Sequence, residues 1–268
     1  MVHTPPHVTA ANIAFHNAIA ERYDARLELY HPKVIEHYQQ LFNQHVFSRF
    51  PEDRQLQVLD VGCGTGYLEQ FFKNKNAEIE AMDVSEGMLA QARRKYKESD
   101  MNVRFTNRDI FDLPNNPRQF DIVIANSFLH HFKNPMTVVD IMAGKLTPGG
   151  ALFIGMEPKY SFYTLGAPFI SLYRTLHKTH THVSQDTEIE HLAEYQIFKG
   201  RGIHTGQLKN RLKSNNCSGI IIINSIRQTL AKIEDEKGLR LFPIIPSFLL
   251  DHFGIFSQLF HTIAYKNQ

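Results

Sequence analysis

A run of three glycines carries the clearest chemistry in the sequence. Val58-Leu59-Asp60-Val61-Gly62-Cys63-Gly64-Thr65-Gly66 follows an apolar stretch and precedes a helix-like one. Glycine lets the chain turn tightly and lets a ligand come close to the backbone. The free N–H groups at the start of the following helix favour an anionic group. The third glycine falls one place earlier than in dinucleotide-binding loops. Asp60, just before the glycines, suits an ammonium group better than a pyrophosphate. Two more acids follow predicted strands. Asp83 lies about 20 residues past the glycines, where an acid binds ribose hydroxyls in doubly wound folds. Asp109, in Asn107-Arg108-Asp109-Ile110, could accept from an exocyclic amine. A second set comprises His130 and His131 beyond a fourth strand and Glu157 beyond a fifth. An imidazole, with an ordinary pKa near 6.5, suits the role of base, and a neighbouring carboxylate could steady its charged form.

An acid near an ammonium, one on a ribose and one on an adenine amine together match S-adenosylmethionine. The elements that must hold them read as alternating strands and helices from Gln55 to Glu157. Strands are predicted over Leu56–Val61, Ala77–Asp83, Val103–Thr106, Phe120–Ala125 and Ala151–Met156. Helices are predicted over Tyr67–Lys73, Glu86–Lys97 and Met136–Lys145. Strands this apolar, separated by helices, argue for a parallel sheet covered on both faces. Upstream, Thr9 can cap one helix and Pro32 can open a second, ended by Pro51. Downstream, Thr187 and Glu190 form a capping box for a helix ending near Gly200. Leu208–Lys213 reads as a helix, and Gly219–Ile226 and His261–Lys266 as strands. Residues 1–50 therefore read as an N-terminal helical lid. Residues 51–268 read as the sheet domain, with insertions at about 158–203 and 227–258.

The chain of 268 residues has 29 Lys plus Arg against 27 Asp plus Glu, a net charge of +2. That is too weak to argue for a nucleic-acid partner. Two cysteines, Cys63 and Cys217, make no disulfide scaffold and favour a reducing, cytoplasmic setting. The N-terminus lacks the pattern of a signal peptide. The apolar stretch 239–260 is broken by Arg240, two prolines, Asp251 and Gly254, so no transmembrane segment is expected. It offers instead a homodimer or membrane-surface contact, or, with the aromatics Tyr160, Phe162, Tyr163, Phe169 and Tyr173, an apolar lining for an acceptor. His177, His180 and His182 are close enough in sequence to hold zinc. They lie in a polar stretch with no evident fourth ligand, and no metal site is expected.

The segments VLDVGCGTG, AMDVSEGML, NRDIFDLP, FDIVIANSFLHHF and LTPGGALFIGMEP resemble the successive motifs of Rossmann-like (class I) S-adenosylmethionine-dependent methyltransferases. The resemblance covers about Ala20 to Glu157. It implies a seven-stranded, mostly parallel Rossmann-like sheet with helices on both faces, the last strand antiparallel and inserted beside the fifth. It implies that Asp60, Gly62, Cys63, Gly64 and Asn126 surround the methionine part of the cofactor and that Asp83 meets the ribose. Val84, Met88, Asp109 and Ile110 would meet the adenine. AERYD, Ala20 to Asp24, resembles the family's lid and places Tyr23 over the cofactor. The expected activity is methyl transfer to a small, apolar or aromatic acceptor, with His130, His131 and Glu157 as the catalytic group. The alternatives are a non-catalytic S-adenosylmethionine-binding regulatory module and methylation of a protein or RNA.

Overall fold

Apolar runs that stop at glycines and polar turns become seven strands of one sheet. A computed structural model describes residues 6–24, 30–161, 164, 187–224 and 259–268. The strands are β1 (Leu56–Val61), β2 (Ala77–Asp83), β3 (Asn102–Asn107), β4 (Phe120–Asn126), β5 (Leu146–Pro158), β6 (Cys217–Asn224) and β7 (Leu259–Lys266). Their order is β3-β2-β1-β4-β5-β7-β6. The neighbours from β3 to β5 pair in parallel. β7 is antiparallel to both β5 and β6. The order reverses between β1 and β4, and such a reversal opens a crevice at the carboxyl ends of the strands.

The helices are α1 (Pro6–Ile19), α2 (Pro32–Leu41), α3 (Glu86–Tyr96), α4 (Pro135–Gly144), α5 (Thr187–Ala193), α6 (Tyr195–Phe198) and α7 (Thr205–Ser214). Side chains of the central strands alternate between two core layers. Leu59, Val61, Val123 and Leu152 pack with Val138, Val139 and Met142 of α4 and Leu208 and Leu212 of α7. Val58, Ile122, Ile124 and Phe153 pack with Tyr38, Phe42, Phe71 and Phe72. Burial on both faces explains why β1 and β4 are apolar without a polar period.

The ends of elements differ from the sequence reading where tertiary contacts decide them. α1 begins at Pro6, so Thr9 lies inside it and does not cap it. The helix expected from Thr187 to Gly200 is two helices meeting at Glu194, whose backbone leaves the helical region at φ −95°, ψ 50°. β5 begins at Leu146 and absorbs the Pro148-Gly149-Gly150 turn as an irregularity in its pairing with β4. The first insertion leaves at Pro158 and returns at Ile203. The two ends hydrogen-bond, Ile203 N–H to Pro158 O at 2.7 Å and Tyr160 N–H to Ile203 O at 3.0 Å. The second insertion, the His177, His180 and His182 group, and most of both aromatic stretches lie outside the described residues. α1 crosses the strand ends and docks on α3. Asn17 Oδ1 accepts there from Ser85 Oγ at 2.7 Å and from the Gly87 amide at 2.9 Å.

Candidate active site

The carboxyl ends of β1, β2 and β4 open into a cleft that is partly continuous with solvent. Of the sequence-predicted residues, Tyr23, Gly62, Gly64, Asp83, Val84, Asp109, Ile110, Asn126 and His131 line it. Asp60 and Cys63 line a smaller recess that shares Tyr23, Gly62, Gly64 and Asn126 with it. Met88 is fully buried on α3 and lines neither.

The glycine loop is shaped by backbone demands. Gly62, Gly64 and Gly66 all have positive φ, at 69°, 55° and 75°. A side chain at Gly62 would lie 2.1 Å from the Phe128 ring, whereas one at Gly64 would meet nothing within 4 Å. The open side of the loop therefore faces the cleft at Gly64. Asp83 holds this geometry by accepting from the Gly64 amide at 2.9 Å and the Ser85 amide at 2.8 Å. Asp109 caps the next turn through the Phe111 amide at 3.0 Å. Asn126 is oriented by the Tyr38 hydroxyl, which donates to its Oδ1 at 2.5 Å.

Asp60 and Glu69 are fully buried, and among the described residues neither side-chain carboxylate has a hydrogen-bond partner. Burial pushes Asp60 well above the usual carboxylate range, and the neighbouring acids Glu69 and Asp83 push it further. Burial also raises Glu69, to about 7, although Lys95 pulls against it. Asp60, an unpartnered buried acid that lines the recess, calls for a cation, and Glu69 behind it adds to the negative charge.

At the other end, Glu157 is fully buried and gathers the 128–130 backbone. It accepts from the amides of Phe128 at 2.8 Å, Leu129 at 2.7 Å and His130 at 3.1 Å, and from His130 Nδ1 at 3.1 Å. His130 Nε2 meets Glu194 at 2.9 Å. Burial alone would depress His130, but the Glu194 and Glu157 carboxylates outweigh it and raise the ring to about 10. With both ring nitrogens bonded to carboxylates, His130 has no lone pair for a substrate. His131 differs. Its Nδ1 lies 2.7 Å from the Ala193 carbonyl, and burial together with the His130 charge lowers it to about 3. It is neutral, its Nε2 carries the lone pair, and it lines the cleft.

The structure adds His16 and Glu194 to this end, neither of which sequence reasoning singled out. His16 comes from α1 and its ring stands edge-on to that of His131, with centroids 5.0 Å apart. Nothing in the sequence spacing links His16, His131 and Glu194. Only the docking of α1 on α5 and the break at Glu194 bring them together.

The general model of a methyltransferase domain matches residues 58–150. The chain is 30% identical over 163 residues to the ubiquinone biosynthesis O-methyltransferase of Coxiella burnetii, covering 57% of this chain and 69% of that one. The chain belongs to the class I S-adenosylmethionine-dependent methyltransferase family. A malonyl-[acyl-carrier protein] O-methyltransferase of Priestia megaterium is 32% identical over 171 residues, 63% of this chain and 55% of its own length. The solved structure of DhpI with SAH (S-adenosylhomocysteine) superposes with a TM-score of 0.58 at 16% identity, covering 98% of this chain and 99% of that one; it shows the shared fold.

As a methyltransferase of this family the chain uses S-adenosylmethionine, and the residues present fit it. The unpartnered oxygens of Asp60 suit its ammonium group, and the space at Gly64 admits it against the backbone. No helix among the described residues is long and apolar enough to cross a membrane.

Proposed function

We propose that this methyltransferase acts on the oxygen of a small, aromatic or partly apolar acceptor. S-adenosylmethionine, when bound, supplies a methyl group already activated on a sulfonium. The protein's own work is then to bind, orient, exclude water and deal with the acceptor's proton. In this reading Asp60 takes the ammonium, Asp83 the ribose, and Val84, Asp109 and Ile110 the adenine. Tyr23 and α1 cover the cleft. Phe128 and Phe132, whose rings meet at 4.9 Å, give the acceptor an aromatic wall.

The observation that carries the choice of oxygen is the neutral His131. His131 lines the cleft with its Nδ1 engaged by the Ala193 carbonyl, which leaves the Nε2 lone pair for a hydroxyl that must give up its proton. His130 and Glu157 hold that turn in place and act as positioning residues. Both curated relatives described above bear the name O-methyltransferase, which supports the same reading.

The test is release of S-adenosylhomocysteine by the purified chain with three acceptor sets: phenols and catechols, acyl carboxylates, and amines. Turnover with the phenolic set is expected. Turnover with amines alone would overturn the proposal.

A further inference from the structure

Three segments far apart in sequence bring one side chain each together: His16 on α1 and His131 on the 129–131 turn, which line the cleft, and Glu194 between α5 and α6 beside them. One ligand-type atom from each lies within 4.8 Å of the other two. The hydrogen bonds fix which tautomer each ring takes when neutral, the form that binds a metal. His16 Nδ1 is 2.9 Å from the Asn12 carbonyl, and His131 Nδ1 is 2.7 Å from the Ala193 carbonyl. A carbonyl only accepts, so each Nδ1 carries the hydrogen and each Nε2 the lone pair. Glu194 is held from behind by His130 Nε2 at 2.9 Å, and His130 in turn by Glu157 at 3.1 Å. Metal-binding histidines are anchored in this way through the far nitrogen, and ligating carboxylates are hydrogen-bonded behind the ligand oxygen.

We propose that His16, His131 and Glu194 bind a divalent first-row transition ion of the zinc class, with its remaining position open to the cleft. Two imidazoles and a carboxylate select such an ion over magnesium or calcium, which favour all-oxygen sites. Three protein ligands with an open position are the arrangement of a catalytic site and not of a structural one. Zinc–ligand bonds of about 2.0–2.1 Å place tetrahedral ligands about 3.3 Å apart. The three groups therefore close in by about 1.5 Å or less, within reach of side-chain rotation. The ion ties the lid helix α1 to the α5–α6 junction across the mouth of the cleft. Its part in the reaction rests on the reading of the cleft as an oxygen-methylating site. There the ion would take the acceptor oxygen on its open position and lower the pKa of its proton, which would pass to solvent water, because the His131 lone pair that takes it in the metal-free cleft would be held by the ion. Ion binding itself does not depend on that reading.

The full chain, stripped with chelator and dialysed, is titrated with Zn(II) alone by calorimetry and with Co(II) by its visible absorption. One equivalent of either should bind, and magnesium should not compete. His16→Ala, His131→Ala and the isosteric Glu194→Gln should each weaken binding at least tenfold. Replacing His177, His180 and His182 together by Ala should change it less than twofold. Hydrogen exchange on the unmutated chain needs no variant: Zn(II) should slow the amides of α1 and α5 together. No saturable binding, loss of binding only in the His177/His180/His182 variant, or unchanged exchange in α1 and α5 would each overturn the site. Binding of S-adenosylhomocysteine to the metal-free chain is measured alongside. Its failure would count against the cofactor reading, whereas failure of the ion with intact cofactor binding counts against the ion site alone.

Discussion

His130 and His131 are adjacent yet chemically opposite, and the difference comes from what each ring touches. His130 sits between two carboxylates and stays charged; His131 has a carbonyl on one side, the cleft on the other, and stays neutral. His131→Ala should therefore lower turnover by about 10²–10⁴-fold, the scale of losing acid–base help, with affinity for S-adenosylhomocysteine nearly unchanged. Equal loss of affinity would mean that His131 holds the cofactor and does not serve the acceptor. Glu157 predicts the reverse pattern. Its carboxylate accepts three backbone amides and one imidazole without exposure to water. Glu157→Ala leaves those donors unmet and one of the two charges paired with His130 missing. About 3 kcal/mol of stability should be lost, read from denaturant midpoints. A Glu157→Ala protein as stable as the original but inactive would make Glu157 a catalytic residue.

At the scale of elements, the glycine loop separates steric from ligand constraint. Gly62→Ala places a methyl group into the Phe128 ring and should disturb both the fold and the cleft. Gly64→Ala meets open space, so its fold cost should be only the backbone strain of a positive φ, about 1–2 kcal/mol. Its loss of cofactor affinity should exceed that cost, because the added methyl group stands where the ligand approaches. Calorimetry beside a melting curve separates the two; a Gly64→Ala protein with normal affinity would remove the loop from the cofactor site. This loop, β1 to β5 and the acids at their ends were legible in the sequence because each is local: an apolar run, a glycine turn, an acid at a fixed offset. His16 and Glu194 were not, because their function depends on α1 docking on α5 and on a helix break at Glu194. Met88 was legible as an inward position of its helix with Leu89 and Ala92, and it is buried there; only the resemblance set it against the adenine, and it does not line the cleft.

Across the whole molecule, a net charge of +2 hides an uneven distribution. Three acids, the buried Asp60 and Glu69 and the half-buried Asp83, crowd the strand ends beneath the glycine loop, and loss of hydration raises all three. The charges of Glu69 and Asp83 act on Asp60, and Lys95, bonded to Asp24 at 2.9 Å, is a cation that acts on Glu69. An ordinary Glu titrates at 4.5 and Glu69 in the ligand-free fold at about 7. Between those values the folded chain holds more protons than the unfolded one. Stability present below pH 4.5 is therefore lost as pH rises through 7. The shift caps the contribution of Glu69 at about 3 kcal/mol. A ligand ammonium beside Asp60 acts in the opposite sense, favouring the charged acids and expelling their protons. The melting-temperature gain from saturating S-adenosylhomocysteine should thus be larger at about pH 8 than at about pH 6. Binding should also release protons, visible as a heat that depends on the ionisation enthalpy of the buffer. Glu69→Gln should flatten much of that pH dependence while leaving the ligand bound. A gain that is equal at both pH values in the unmutated chain would mean that these acids are already ionised, and that the cofactor's cation is not what they await.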